Sequence, residues 1–424
     1  MFVSKNSCSK SGIIALCSLV YFVSYFSRKD FAAVMVGMIS EGAIGRANAG
    51  LAGAMLFIFY GVGQLISGYL GDRMKPKHLI LTGLTVTACC NALMPLIPEW
   101  TMIVVWGING LAQAMLWPPI VKMLSTYLDH DTFVTANLIV TSAAHAATIL
   151  LYVFVPVCIT FMSWQTVFYI ASLLALASIV VFVVALAIII PGKNECDTNV
   201  DFGHLDTDDA SYEMIRIIPV LRRSGIFTVF VCIIACGFLR DGIESWLPTL
   251  YSEAFGRDVS ESILVSMILP FFSIMSIALV TALHKKRMFN NEVLGTVILF
   301  GIALVSSLLL VIAIGMDGNV FAIISLFLSA FICASMHGVN FLLISCLPGR
   351  FAGIGRAATV SGICNSCVYV GAALSTYGIA LISGWMGWRA TILGWCVILL
   401  MGIIFGSLSY NKYTATITFK AENM

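Results

Sequence analysis

The chain has 424 residues, of which 60% are hydrophobic and only 10% charged, with a formal net charge of +2 and a mean hydropathy of +0.99. An ordinary soluble domain carries roughly 25% charged residues, so a water-soluble fold is excluded. A helix needs about 20 mostly apolar residues to cross the hydrocarbon, and a chain of this length has room for about a dozen such spans.

Lipid offers no hydrogen-bond partner to bare backbone, so spans are helices or a closed barrel. Uninterrupted apolar runs such as Leu173 to Ile190 decide for helices. Hydropathy predicts spans near residues 12–38, 48–72, 78–97, 101–127, 132–161, 165–190, 225–250, 262–284, 293–314, 320–346, 356–383 and 388–410. At the start, Lys5 and Lys10 precede the apolar run Ile13 to Phe26, but no small-residue cleavage site follows, so the run reads as an uncleaved first span. The one long polar stretch, Gly192 to Ser224, is rich in Asp and Glu. It predicts three parts: a six-helix bundle over 1–191, a cytosolic linker over 192–224, and a second bundle over 225–424. The expected fold is an all-α polytopic membrane protein of twelve transmembrane helices in two pseudo-symmetric halves.

Lys and Arg gather on alternate loops: Arg73, Lys75 and Lys77, then Lys193 with Arg216, Arg222 and Arg223, then Lys285, Lys286 and Arg287. The opposite side has Arg46, Arg257 and Arg389. Positive charge stays on the cytoplasmic side, which predicts an inner (plasma) membrane protein with both termini cytoplasmic. The cysteines lie almost entirely in apolar runs, so no disulfide framework is expected, and Cys364-x-x-Cys367 reads as small residues for close helix packing.

Four cations fall inside predicted spans: Arg28, Lys29, Lys122 and Arg240. A charge at mid-bilayer costs from about 2.5 to over 10 kcal/mol, so it faces a wet cavity or a partner. Arg28 lies about 16 residues into the first span and Arg240 about 15 into the seventh, roughly 23 Å along each helix. A guanidinium suits an oxyanion because its planar fork donates two parallel hydrogen bonds. The structural alternative is pairing of Arg240 with Glu244, four residues on, or with the adjacent Asp241. Lys29 is turned about 100° from Arg28 and reads as structural; Lys122 either lines the cavity or snorkels. Tyr21 and Tyr25 share a face with Arg28, as cavity-lining hydroxyls or as aromatic packing. Trp117-Pro118-Pro119 predicts a kink. His145 and His337 stand in corresponding regions of the two halves, the former the stronger ligand candidate. No phosphate-binding glycine loop, metal-ligand cluster or catalytic dyad is apparent, so neither cofactor, metal nor enzymatic activity is expected.

Several motifs carry a family resemblance. Gly68-Tyr-Leu-Gly-Asp72-Arg73-Met-Lys75-Pro-Lys77 resembles the G-x-L-x-D-R-x-x-x-[RK] signature of the major facilitator superfamily, in which glycines let two helices approach while the acid and bases clamp the cytosolic face. Within it the chain resembles the organophosphate:phosphate antiporters, the group of glycerol-3-phosphate and hexose-phosphate transporters. Tyr21-x-x-x-Tyr25-x-x-Arg28-Lys29-x-Phe31 is similar to the first-span motif, and Arg240-Asp-Gly242-Ile243-x-x-Trp246-x-Pro248-Thr249 to the seventh-span motif. Each contains an arginine that binds phosphate in the family. Trp117-Pro118-Pro119 with Lys122 resembles W-P-P-x-x-R, and His145 occupies the place of a histidine implicated in substrate binding. Where the second span of bacterial antiporters reads Y-G-x-x-K, this chain has Tyr60-Gly61-Val-Gly-Gln64, a neutral donor for a cation.

The resemblance implies a monomeric secondary transporter that imports an organic phosphate ester in exchange for inorganic phosphate by alternating access. Arg28, Arg240, His145, Tyr21, Tyr25, Gln64 and Lys122 would bind the small anionic solute, and Gly68, Asp72, Arg73, Trp117, Pro118 and Pro119 would gate or shape the pathway. The lipid bilayer is the other partner; no nucleic acid is expected. Proton-coupled uptake of another organic anion, favoured by Gln64, and a membrane ligand sensor are the alternatives.

Overall fold

The computed structural model describes residues 9–128, 130–189, 226–286, 291–348 and 357–422. The predicted linker over 192–224 lies outside the described residues. Among the described residues every regular element is a helix, as backbone in hydrocarbon requires. In chain order they are α1 (Lys10–Ser40), α2 (Arg46–Arg73), α3 (Pro76–Leu93, extended by a 3₁₀ turn Met94–Leu96), α4 (Glu99–Ala114 and Trp117–Tyr127), α5 (His130–Phe161) and α6 (Trp164–Ile189). Then come α7 (Ile226–Phe255), α8 (Val259–Val265 and Ile268–Lys285), α9 (Glu292–Ala313) and α10 (Asn319–Asn340, continued by a π turn Phe341–Cys346). The last helical run, Ala357–Glu422, is broken at Gly387, whose φ of 80° is open to glycine and costly for other residues. The break makes two helices, α11 over 357–386 and α12 over 388–422. Ten helical stretches are long and apolar enough to cross a membrane. Counting the run through Gly387 as two and adding α2 gives the twelve expected, with α12 running about three turns beyond its predicted end.

Contacts gather the chain into two compact units. One comprises Met1–Cys196 with Ser245–Pro270 and Thr376–Gly384; the other comprises Asp197–Glu244, Phe271–Ser375 and Trp385–Met424.

The first unit is bound by amide and hydroxyl side chains buried between helices. Asn91 and Asn109 both donate from Nδ2 to the Ser27 carbonyl (3.3 and 3.2 Å), joining α3 and α4 to α1. Ser24 donates to Gln113 Oε1 (2.6 Å), and Gln113 Nε2 to Thr87 (3.3 Å). Ser172 adds α6 through the Ala88 carbonyl (2.9 Å). A hydrogen bond between membrane helices contributes about 0.6 kcal/mol, up to about 2, so the network acts by number and by fixing register. At Gly110 of α4 an added Cβ would run into the Leu56 carbonyl of α2, which is why these two helices pack backbone to backbone. In this unit Arg46, at the start of α2, pairs with Glu253 and donates to Ser383 (3.4 Å). Trp246 donates to the Thr376 carbonyl (3.1 Å).

In the second unit the buried Glu292 accepts from Tyr413 (3.0 Å), tying α9 to α12. Cys236 on α7 donates to the Met336 carbonyl of α10 (3.1 Å), and Ser276 on α8 to that of Ala334 (2.6 Å). The described cysteines are free thiols. Exposed apolar side chains recur at helical spacing, as at Leu173, Val180 and Ile188 of α6 and Val305, Leu309 and Ile312 of α9. Such stripes are the lipid-facing surface.

Gly110→Ala is expected to destabilise the detergent-purified protein by about 1–3 kcal/mol, read as a lowered unfolding midpoint, because the neighbour is backbone and cannot rotate away. Gly301, on α9, has open space where its Cβ would lie, so Gly301→Ala is expected to be neutral or stabilising by up to about 1 kcal/mol. Equal effects of the two would show that close approach at Gly110 does not hold α2 to α4.

Candidate functional site

In the first unit the site is built on an aromatic ladder. A proline at position 118 has no N–H for the helical ladder and its ring clashes with the carbonyl four residues before it. Accordingly α4 stops at Ala114, turns through Met115 and Leu116, and restarts at Trp117 with prolines in its first turn. The predicted kink is therefore a break between two helical pieces. The restart places the Trp117 ring 4.7 Å from that of Tyr21, and Tyr21 meets Tyr25 edge-on at 5.0 Å. The Arg28 guanidinium then lies 4.1 Å from the Tyr25 ring centre and 5.1 Å from that of Tyr60 on α2. Both distances fall within cation–π range, about 6 Å. Tyr21 is 8% exposed and belongs to the bundle core, so its packing role is the one the geometry displays. Tyr25 touches the cation directly. Four of the expected residues, Tyr21, Tyr25, Arg28 and Trp117, thus form one stack.

Tyr60 completes that stack and was not among the expected ligands. The signal was present in the sequence: Tyr60 and Gln64 stand four apart and share a face of α2. Gln64 is half-buried one turn beyond Tyr60. Lys122 is half-buried on the second piece of α4, where its carbonyl accepts from Thr126 (2.7 Å) and Ser125 (3.0 Å). His145, on α5, has its Nδ1 3.1 Å from the Thr141 carbonyl one turn earlier in its own helix. Gly68, Asp72 and Arg73 fall in the last turns of α2, and their side chains lie outside the described residues.

In the second unit Arg240 is gripped by polar atoms. Its Nη2 lies 2.6 Å from Asp241 Oδ2, and its Nη1 donates to Asn340 Oδ1 at 2.7 Å. The side chains of Arg240 and Asp241 are 14% and 7% exposed. The adjacent acid, rather than Glu244 one turn on, makes the close ion pair. Glu244 instead has its Oε1 2.7 Å from His337 Nε2 on α10. Asn340 ends the α-helical part of α10 and is followed directly by the π turn. Such turns shift side-chain register and often occur at functional sites. Asp241 was one of the two acids the sequence offered; Asn340 and the Glu244–His337 bond were not legible as partners, because they depend on how α10 packs against α7.

Removing the acid while keeping the base leaves an uncompensated buried charge, which costs more than removing both. Asp241→Asn is therefore expected to destabilise the purified protein by up to about 3 kcal/mol, and Arg240→Gln combined with Asp241→Asn by less. Additive losses in this double-mutant cycle, read from unfolding midpoints, would mean that the pair does not interact.

A sequence profile of the Major Facilitator Superfamily matches residues 17–376. Among curated proteins, the chain is 34% identical over 106 residues to a probable hexose phosphate transport protein of Chlamydia muridarum, covering 25% of this chain and 23% of that one. It is 25% identical over 253 residues to the glycerol-3-phosphate transporter of Bacillus subtilis, 56% of each chain. It is also 29% identical over 110 residues to a membrane sensor protein of Escherichia coli, 26% of this chain and 25% of that one. The matched stretches thus span about a quarter to a half of these relatives. Among solved structures, a peptide transporter in complex with alafosfalin superposes with a TM-score of 0.75 at 13% identity, over 97% of this chain and 99% of that one, a likeness of fold alone. The chain belongs to the Major Facilitator Superfamily.

Proposed function

We propose that the protein is a secondary transporter that takes up an organic phosphate ester in exchange for inorganic phosphate. The observation that carries this reading is the pair of guanidinium groups held deep in the first helix of each half. Arg28 lies against two tyrosine rings, and Arg240 is fixed by Asp241 and Asn340. Asp241 keeps Arg240 compensated while no anion is bound, so an incoming phosphate competes for an already oriented group. The relatives named for hexose phosphate and glycerol-3-phosphate support the same substrate class. Two six-helix halves over 1–191 and 225–424, an inner-membrane location and cytoplasmic termini complete the reading, on the positive charge of alternate loops.

A second reading, proton-coupled uptake of an organic anion, is favoured by the Glu244–His337 contact, an acid–base pair one turn from Arg240. Under exchange, liposomes loaded with inorganic phosphate take up labelled ester without a pH gradient and empty liposomes do not, because the carrier needs a ligand's binding energy to reorient. Arg28→Lys and Arg240→Lys are each expected to abolish most of this uptake while still inserting in the membrane, since lysine lacks the bidentate fork. Gradient-driven uptake into phosphate-free liposomes would install the symporter instead. Ester binding without any uptake would install a sensor like the E. coli relative.

The tyrosine stack yields a finer expectation. Tyr60→Leu removes one ring from the cation and should raise the half-saturating ester concentration roughly 2- to 30-fold, the range of a cation–π contact. Tyr60→Phe keeps the ring and should lose less. Equal losses in the two variants would assign the effect to the hydroxyl.

A further inference from the structure

The side chains on the facing sides of α7 and α10 include a set that the exchange reading does not use. Cys333 and His337 are four residues apart on α10 and so share one face. Glu244 meets that face from α7, with its Oε1 2.7 Å from His337 Nε2 and 4.0 Å from Cys333 Sγ. The sulfur, nitrogen and oxygen all lie within 4.8 Å of one another. Cys333 is buried, and the side chains of His337 and Glu244 are 13% and 18% exposed. Three different donor types converging from two helices in an apolar bundle is an arrangement that needs a chemical reason.

We propose that Glu244, Cys333 and His337 form a binding site for a borderline-soft divalent cation, with Zn²⁺ as its type. Zinc takes Cys sulfur at about 2.3 Å and His nitrogen or carboxylate oxygen at about 2.0–2.2 Å in a tetrahedron, which sets donor–donor separations of about 3.3–3.6 Å. The contacts within this triad bracket that range, so side-chain adjustments on the order of 1 Å close the site. The donor set also selects the metal. Ca²⁺ and Mg²⁺ require six or more ligands, essentially all oxygen, whereas thiolate with imidazole favours zinc and its neighbours.

The charges nearby are compatible with a cation. Arg240 lies one turn from Glu244 on α7 and pairs at close range with Asp241, so the two carboxylates together offset the guanidinium and supply negative charge beside the cation. On binding, the Cys333 thiol gives up its proton to solvent and His337 coordinates as the neutral imidazole, so affinity rises with pH. Three protein ligands leave a fourth position for water or an anion oxygen. Occupancy would clasp α7 to α10 beside the Arg240–Asn340 contact.

The probe is Co²⁺, which replaces zinc and reports its own ligands. Titrated into the full-length detergent-purified protein, Co²⁺ is expected to give visible bands of four-coordinate geometry and a near-ultraviolet thiolate-to-cobalt charge-transfer band. Zn²⁺ should abolish both, and Mg²⁺ should leave both unchanged. Cys333→Ser should lose the charge-transfer band, and His337→Gln and Glu244→Gln should each weaken Co²⁺ binding at least tenfold. Cys364→Ser, with Cys364 outside the triad, should behave as the unsubstituted protein. Equal elution of all variants as monodisperse protein on size exclusion guards against misfolding, with Cys333→Ala as a second sulfur-free form. Absence of the band in the unsubstituted protein, its survival without Cys333, or its loss with Cys364→Ser would overturn the proposal. The readout involves no transport, so it fails or succeeds apart from the exchange reading.

Discussion

A cation in the middle of a membrane helix is the constraint around which this molecule is arranged. The cost of placing a charge there, from about 2.5 to over 10 kcal/mol, is a large part of what holds a folded domain together, about 5–15 kcal/mol. The chain carries two arginines in this position and compensates them by different chemistry. Arg28 is met by the π faces of Tyr25 and Tyr60, while Arg240 is met by a carboxylate and an amide oxygen. The carboxylate and the amide oxygen cancel the charge of Arg240 locally and hold its guanidinium in a fixed orientation.

Those compensations depend on departures from regular helix. Trp117 reaches Tyr21 because α4 is broken before the two prolines. Asn340 reaches Arg240 at the point where α10 passes into a π turn. In both cases backbone irregularity occurs next to a residue contacting the candidate site or its supporting stack. Elsewhere in the first unit Asn91, Asn109 and Gln113 bind helices through buried amides. Irregular backbone at membrane depth is tolerated where it is buried in protein or lines a cavity, so these breaks mark where the lipid-facing rules are relaxed.

The second half is chemically richer than phosphate binding alone requires. Asp241 and Glu244 follow Arg240 within one turn of α7, and His337 and Cys333 of α10 meet Glu244. A site built solely to attract an anion gains nothing from two carboxylates. Their presence is accounted for if one compensates the arginine between substrates and the other serves a proton or a metal ion. The neutral Gln64 in the first half, where bacterial antiporters carry lysine, points the same way, toward less positive charge than those antiporters hold.

By itself the sequence determined the class, the number of spans and the position of each, because hydrophobicity over about 20 residues is a local property that the bilayer reads directly. It also determined that Arg28 and Arg240 need partners, since the cost of a buried charge does not depend on the fold, and that Trp117-Pro118-Pro119 interrupts a helix, since proline acts on its own backbone. The close partner of Arg240 among its two nearby acids was decided only by tertiary structure. Helical spacing allowed Glu244, but the packing of α10 on α7 brought His337 to Glu244 and left Asp241 and Asn340 to the arginine. Tyr60 joined the Arg28 stack for the same reason. A helix sequence fixes which side chains share a face, whereas which face meets which neighbour, at what rotation and depth, is set by close packing at positions such as Gly110 and by buried amides over the whole bundle.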